Sequence, residues 1–349
     1  MVTNEIPVFG GRPQLASLPE RVAIVANPLS TRASSAISEI VRQCRGAGIE
    51  VPSSFTTTVG ELGDGQARRA VAEGAELVIA IGGDGTVRKV AEGVAGTGVR
   101  LGIIALGTGN VLASNLGLTR LSLADQASAA LRGPHVEMDL GWARMRTTTR
   151  VATAQAPGEE RSPQTGASGQ VSSEQLVCEE PFVTMCGIGR DALAVSRTGL
   201  ISKKRAGWGA YALSGAVEAL LPPIAMSVQI DDDPLTEVRC WSVLAGNTPG
   251  VLGGVLVYPG ALADDGELMA LEVPLKRIHQ WLPVMMKGLT GHDRPVPALR
   301  YSTARRLRVW PSRPLPAQLD GDVVNDVVEL DVSVRRRCVK IQLPLSADA

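Results

Sequence analysis

The sequence predicts an α/β protein in two parts: an N-terminal domain built on a parallel sheet, then a mainly antiparallel, β-rich C-terminal domain. Three observations carry that reading. Short apolar runs alternate with segments of helical period from about residue 20 to 133, the pattern of βαβ units with right-handed crossovers. Two glycine-rich turns, "GGDGT" at 82–86 and "GTGN" at 107–110, directly follow apolar runs in that stretch. From about residue 134 the helical period gives way to runs separated by turns, the texture of antiparallel structure.

In chain order, "RVAIVANP" (21–28) reads as a strand that Pro28 ends. A helix follows, capped by Ser30 or Thr31, with Ile37, Ile40, Val41 and Cys44 on one face and Gly46 or Gly48 as its stop. Next come a strand near 49–56, a helix near 66–73, the strand "LVIAI" (77–81), a helix with Val87, Val90, Ala91 and Val94 inward, and the strand "LGIIAL" (101–106). In the second domain, 134–343, the runs at 136–145, 181–189, 226–231, 237–247 and 267–273 and several after 299 read as strands. Residues 147–175, rich in Ser, Thr, Gly, Gln and Ala and without an aromatic, read as a mobile insertion between two strands. Helices are expected over 207–221 and roughly 275–289.

Composition narrows the function classes. With 35 basic and 35 acidic residues the formal charge is zero, which argues against a nucleic-acid coat or a polybasic membrane anchor. The first 20 residues lack the basic start and apolar run of a signal peptide, and no apolar run approaches the ~20 residues of a membrane span. A cytoplasmic location is expected. Five cysteines, odd in number and without CxxC spacing, point to reduced thiols rather than a disulfide framework or a zinc site.

Every loop that follows a strand of a parallel sheet opens onto one edge, where ligands bind. Asn27, "GGDGT" and "GTGN" all fall there. Glycines leave backbone N–H groups bare and let a phosphate approach a helix start closely. The plain alternative for 82–86 is a tight turn with an incidental acid. Two such loops on one edge favour a phosphate cradle.

The segments "NPLS" (27–30), "GGDGTVRKVAEGV" (82–94) and "LGIIALGTGNVLASNLGL" (101–118) resemble the motifs of the diacylglycerol kinase catalytic domain family, which includes sphingosine kinases and bacterial lipid kinases. "MDLG" (138–141), "FVTMCGIGRDA" (182–192), "GNTPGVLGGVLVYPGALADDGEL" (246–268) and "QLDGD" (318–322) follow the family's later motifs in order. A lone GGDGT also occurs in NAD kinases and phosphofructokinases; "GTGN" and "DDGE" separate them.

The resemblance implies an N-terminal ATP-binding domain, a C-terminal domain whose last strands return toward the first, and a cleft for a lipid hydroxyl. It places ATP against Asn27, Gly83, Asp84, Gly85, Thr86, Gly107, Thr108, Gly109 and Asn110. It implies Mg²⁺ near Asp84, Asp139 and Glu267 through a water-linked network, with Asp265 as the base that takes the hydroxyl proton and Asp84 and Glu267 as further catalytic acids. An acid beside phosphate repels it unless a cation intervenes. Asp265 taken alone reads first as an ordinary Asp-Gly hairpin turn. Asp191, Asp320 and Asp322 read as either caps and turns or site acids, and His135, His279 and His292 as structural or solvent-exposed.

Two positions depart from many relatives: Lys89 replaces a glutamate, and Val111 an aspartate of the magnesium network. The expected partners are a lipid substrate and a peripheral membrane contact at the inner face, with no nucleic acid; a homodimer stays open. The rival readings are an NAD-kinase-like enzyme with a soluble acceptor and, because of Val111, a catalytically weak lipid-binding regulator.

Overall fold

The computed structural model describes residues 8–15, 17–107, 109–150, 173–193, 221–251, 256–290 and 294–345. Its first part runs β1 (Val22–Ala26), α1 (Ala33–Gly46), β2 (Ser53–Thr56), α2 (Asp64–Ala72), β3 (Leu77–Gly82), α3 (Asp84–Val94), β4 (Arg100–Ala105), α4 (Val111–Asn115) and α5 (Leu123–Arg132). The strands are parallel in the order β2-β1-β3-β4. Helices cover both faces, so β1 and β3 are buried along their whole lengths and read as unbroken apolar runs. Ile24 and Ile79 face α1 and α5 through Ile40 and Leu131. Ala23, Val25 and Val78 face α2 and α3 through Ala67, Val87 and Val90. Those two helices touch closely, since a Cβ on Gly93 would lie 2.5 Å from the Cβ of Ala67.

The second part is antiparallel, as the texture after residue 134 predicts. It comprises β5 (His135–Arg150), β6 (Ser173–Phe182), β7 (Met185–Gly189), β8 (Ile224–Ile230), β9 (Thr236–Cys240), β10 (Ser242–Gly246), β11 (Leu268–Glu272), α6 (Leu282–Thr290), β12 (Arg300–Ala304), β13 (Arg306–Pro311), β14 (Leu315–Leu319) and β15 (Asp322–Gln342). β15 joins the two parts. It pairs antiparallel with β5, β13 and β14, then parallel with β4 through Lys340↔Arg100 and Ile341↔Leu101.

Several local expectations change. Neither Ser30 nor Thr31 caps α1; its N-cap is Arg32, without a side-chain bond, because the turn from Asn27 carries the chain one residue further before the helix starts. The boundaries 147–175 are too wide for an insertion: β5 continues to Arg150 and β6 begins at Ser173, paired residue for residue. The remainder, 151–172, lies outside the described residues, as does all but the last residue of the helix expected over 207–221. All five cysteines are free thiols, three of them buried.

Candidate functional site

The strand order places the site before any side chain is considered. From β1 the chain moves outward to β2, then crosses back to β3 on the other side, so a crevice opens beyond the carboxyl ends of β1 and β3. Asn27 lies at the first of these ends and Gly83 at the second. Asn27 Oδ1 accepts the Leu29 N–H at 3.0 Å and its own N–H donates to Ile81 O at 3.0 Å, which turns the chain sharply out of the sheet.

Gly83 precedes α3, whose N-terminus no side chain caps. The first N–H groups of a helix have no partner within it and attract anions. A Cβ on Gly83 would meet nothing within 4 Å, so the space over these groups is open. Behind it the second glycine loop packs backbone to backbone: a Cβ on Gly107 would lie 3.3 Å from the Gly83 Cα. Gly85 is exposed and Thr86 buried, its Oγ1 2.7 Å from where a Gly82 Cβ would sit. Gly109 is half-buried. Thr108 lies outside the described residues.

Asn110 sits between the two glycine loops. It is buried, caps α4 by accepting the Ala113 N–H at 3.2 Å, and donates through Nδ2 to Gly82 O at 3.3 Å. Its side chain ties the two glycine loops together.

Asp84 is held under the same loops. Its Oδ1 accepts the Val111 N–H at 2.8 Å and the Leu112 N–H at 3.4 Å. Burial, followed by the charge of Asp320, pushes its carboxyl up to about 7 against the pull of those N–H groups and Arg88. A folded-state value above the unfolded ~3.9 means the folded chain binds more protons between pH 4 and 7, so ionisation of Asp84 weakens the fold as pH rises through that window. Asp84→Asn, which keeps the Oδ1 acceptor, is therefore expected to be more stable than wild type by roughly 2–4 kcal/mol at pH 8. The gap should close by pH 4, read from urea denaturation at both pH values.

A hairpin from the second part closes over α3. Asp320 and Gly321, both at positive φ, turn β14 into β15. Arg88 of α3 donates to Leu319 O at 2.8 Å and to Asp322 Oδ2 at 2.6 Å, clamping this hairpin onto the glycine loop. Asp320 Oδ2 accepts the Val183 N–H at 2.8 Å. Its Oδ1 accepts the N–H groups of Thr184 at 2.9 Å and Met185 at 3.0 Å and the Thr184 hydroxyl at 2.5 Å.

The remaining acids gather around Asp139. This residue is fully buried, and both its oxygens are taken: Oδ2 by the Gly266 N–H and Oδ1 by the Arg337 N–H, each at 2.6 Å. Asp139 is thus a brace for the turn that presents Asp265. Gly266, at φ +81, gives that turn its shape. Asp265 is exposed, its Oδ1 accepting the Glu267 N–H at 2.9 Å. Partial burial, then the charges of Glu267 and Asp264, raise its carboxyl. Asn247 links the clusters: its Nδ2 donates to Asp139 O at 3.0 Å and to Val183 O at 3.1 Å, beside the Val183 N–H that Asp320 holds.

Among the described residues no three His, Cys, Asp or Glu side chains form a group that could hold a metal ion. Asp84, Asp139 and Glu267 are not a direct ligand set. Mg²⁺ needs few protein oxygens when phosphates and waters supply the rest. Asp84, with its free Oδ2 and a carboxyl raised by burial and then by Asp320, fits that limited role.

Other positions resolve as follows. Lys89 does not lie on a free helix face: its Nζ bridges Glu92 at 3.1 Å and Glu180 at 2.5 Å, joining α3 to β6. Val111 reaches Asp84 through its backbone N–H, a bond indifferent to the side chain. Asp191 is buried beside Ser242 Oγ, to which its N–H donates at 3.0 Å, and burial pushes its carboxyl up to about 6. His135 is buried and His279 exposed; His292 lies outside the described residues.

Residues 21–143 match the diacylglycerol kinase catalytic domain, and residues 184–342 match the YegS C-terminal NAD kinase beta sandwich-like domain. A diacylglycerol kinase of Bacillus subtilis (strain 168) is 24% identical over 310 residues, covering 87% of this chain and 90% of the relative. One from Staphylococcus saprophyticus is 23% identical over 308 residues, covering 87% and 89%. A crystal structure of a diacylglycerol kinase from Bacillus anthracis str. Sterne superposes with a TM-score of 0.68 at 17% identity, covering 96% of this chain and 100% of the other. It shares the fold.

Proposed function

Because the chain belongs to the diacylglycerol kinase catalytic domain family, we propose that it transfers the γ-phosphate of ATP to the hydroxyl of a lipid, diacylglycerol or a related molecule. The observation that carries this reading is the open, uncapped start of α3, walled by the Gly107 backbone and floored by Asp84.

In this reading the N–H groups at Gly83, Asp84 and Gly85 receive the phosphates, and the Gly107 loop closes the other side. Asn27 shapes the first wall by its turn. Mg²⁺, when bound beside Asp84, neutralises charge on the transferring phosphoryl group. Asp84 holds its ionised form poorly without such a cation, which couples its deprotonation to nucleotide entry. Asp265 accepts the proton of the attacking hydroxyl as the new P–O bond forms, since an alcohol is too weak an acid to lose it beforehand. Glu267, half-buried beside it, keeps negative charge close and raises the basicity of Asp265. Asp139 and Asn247 position these groups without touching substrate.

A lipid acceptor implies that the protein works at a membrane surface. No helix among the described residues is long and apolar enough to cross a bilayer, so the contact is peripheral in this reading. The test is transfer of labelled γ-phosphate from Mg·ATP into an organic-extractable product, with total lipid extract as acceptor. Labelled lipid made by wild type and absent with Asp265→Asn supports the proposal. Label confined to the aqueous phase overturns the lipid assignment and favours a soluble acceptor.

A further inference from the structure

A second concave site lies at the opposite end of the parallel sheet, where β3, β4 and β5 begin and β15 ends. It is an open surface concavity of about 410 Å³. The length of β4, six residues or roughly 20 Å, separates it from the Gly107 loop. Nothing in the phosphoryl-transfer reading uses it.

Its walls carry Arg100, His135 and Lys340. Arg100 is only 9% exposed, and its guanidinium makes one bond, from Nη1 to Ser17 O at 3.1 Å. Lys340 is its register partner across the β4–β15 pair, so both side chains leave the sheet on one face. His135 is also 9% exposed, and its Nδ1 is buried without a partner. Burial, then the charges of Arg100 and Lys340, hold the imidazole below its usual value.

Two carboxylates stand nearby. Glu76 lines the cavity, but its Oε2 accepts the Glu20 N–H at 3.2 Å. Glu137 lies opposite Lys340 on β5 and is exposed. Among the described residues neither closes an ion pair with Arg100 or Lys340, although the Glu76 charge acts on Arg100. The cavity therefore presents a largely buried guanidinium with one carbonyl partner and a second cation on the same face, offset in part by the charges of Glu76 and Glu137. An anion in the cavity can bridge Arg100 and Lys340.

We propose that this cavity binds a phosphate monoester carried on a small organic body. Arg100 supplies a planar fork of donors, Lys340 a point charge and His135 a ring N–H, a set suited to a dianionic tetrahedral group. A carboxylate would be matched by the arginine alone. The volume exceeds what bare phosphate fills, which leaves room for a glycerol-sized remainder.

Calorimetric titration of the full chain with glycerol 3-phosphate tests this, at ionic strength held constant with potassium chloride. Saturable binding is expected, and it should persist with a non-hydrolysable ATP analogue and Mg²⁺ present and in Asp84→Asn. Lys340→Gln and His135→Gln should each weaken it about fivefold or more while leaving the circular dichroism spectrum unchanged. A second arm uses vesicles with and without phosphatidic acid. Lys340-dependent vesicle binding assigns the phosphate to a lipid headgroup, and binding of the soluble ester alone assigns it to a free metabolite; either sustains the proposal. Absence of saturable binding in both arms, binding unchanged by both variants, or displacement by the ATP analogue overturns it.

Discussion

Asp265→Asn is expected to lower kcat by roughly 10²–10⁴-fold, the range for losing a positioned proton acceptor, while thermal stability stays at the wild-type value. The structure separates these two outcomes. Asn retains an Oδ1 that can accept the Glu267 N–H, and Asp265 is exposed, so no buried contact is lost. What disappears is the capacity to take a proton at a carboxyl that burial and two neighbouring acids have already made more basic. Steady-state kinetics with Mg·ATP and the lipid identified by extraction, beside a thermal melt, read both. Unchanged turnover would remove Asp265 from the chemistry and leave it as a turn residue.

Asp320→Ala should cost roughly 2–4 kcal/mol of stability, because three backbone N–H groups and a hydroxyl in the 183–185 turn lose their acceptor together. Asp320→Asn is the more informative change. Asparagine tolerates the positive φ of this position and keeps the Oδ1 bonds, though its amide NH₂ then faces the Val183 N–H. Removing the charge also relieves Asp84, whose carboxyl Asp320 helps to raise. The acidic limb of the pH–rate profile should therefore move to lower pH in Asp320→Asn. An unmoved limb, with stability reduced, would confine Asp320 to holding the turn.

Local patterns made the first domain legible and left the closure of its site hidden. Glycine loops, apolar runs and helical spacing are properties of ten or so neighbouring residues, and they placed Asn27, Gly83 and Gly107 on one edge. Asp320 acts on residues 135 to 137 positions away, and Arg88 reaches a carboxylate 234 positions away; no window of sequence contains such a pair. Arg88 was further disguised by its setting, a charged residue in a helix whose apolar spacing already explained it. The capping role of Asn110 is a different case. An asparagine just before an apolar helical segment is an N-cap signal, and it was available in "GNVLASN". For Asp139 the obstacle was burial, since only the folded chain shows that backbone N–H groups occupy both oxygens.

The 21-residue strand β15 also fixes an order of events in biosynthesis. β4, complete by residue 105, waits for a partner at 340–341. While the ribosome makes the intervening residues, the parallel sheet has a bare edge of unpaired N–H and C=O groups, the surface most prone to joining another chain. Distant pairing of this kind is also slow to form. The domain translated first is therefore the last to be sealed, and the nascent chain is most exposed to aggregation just before β15 leaves the ribosome.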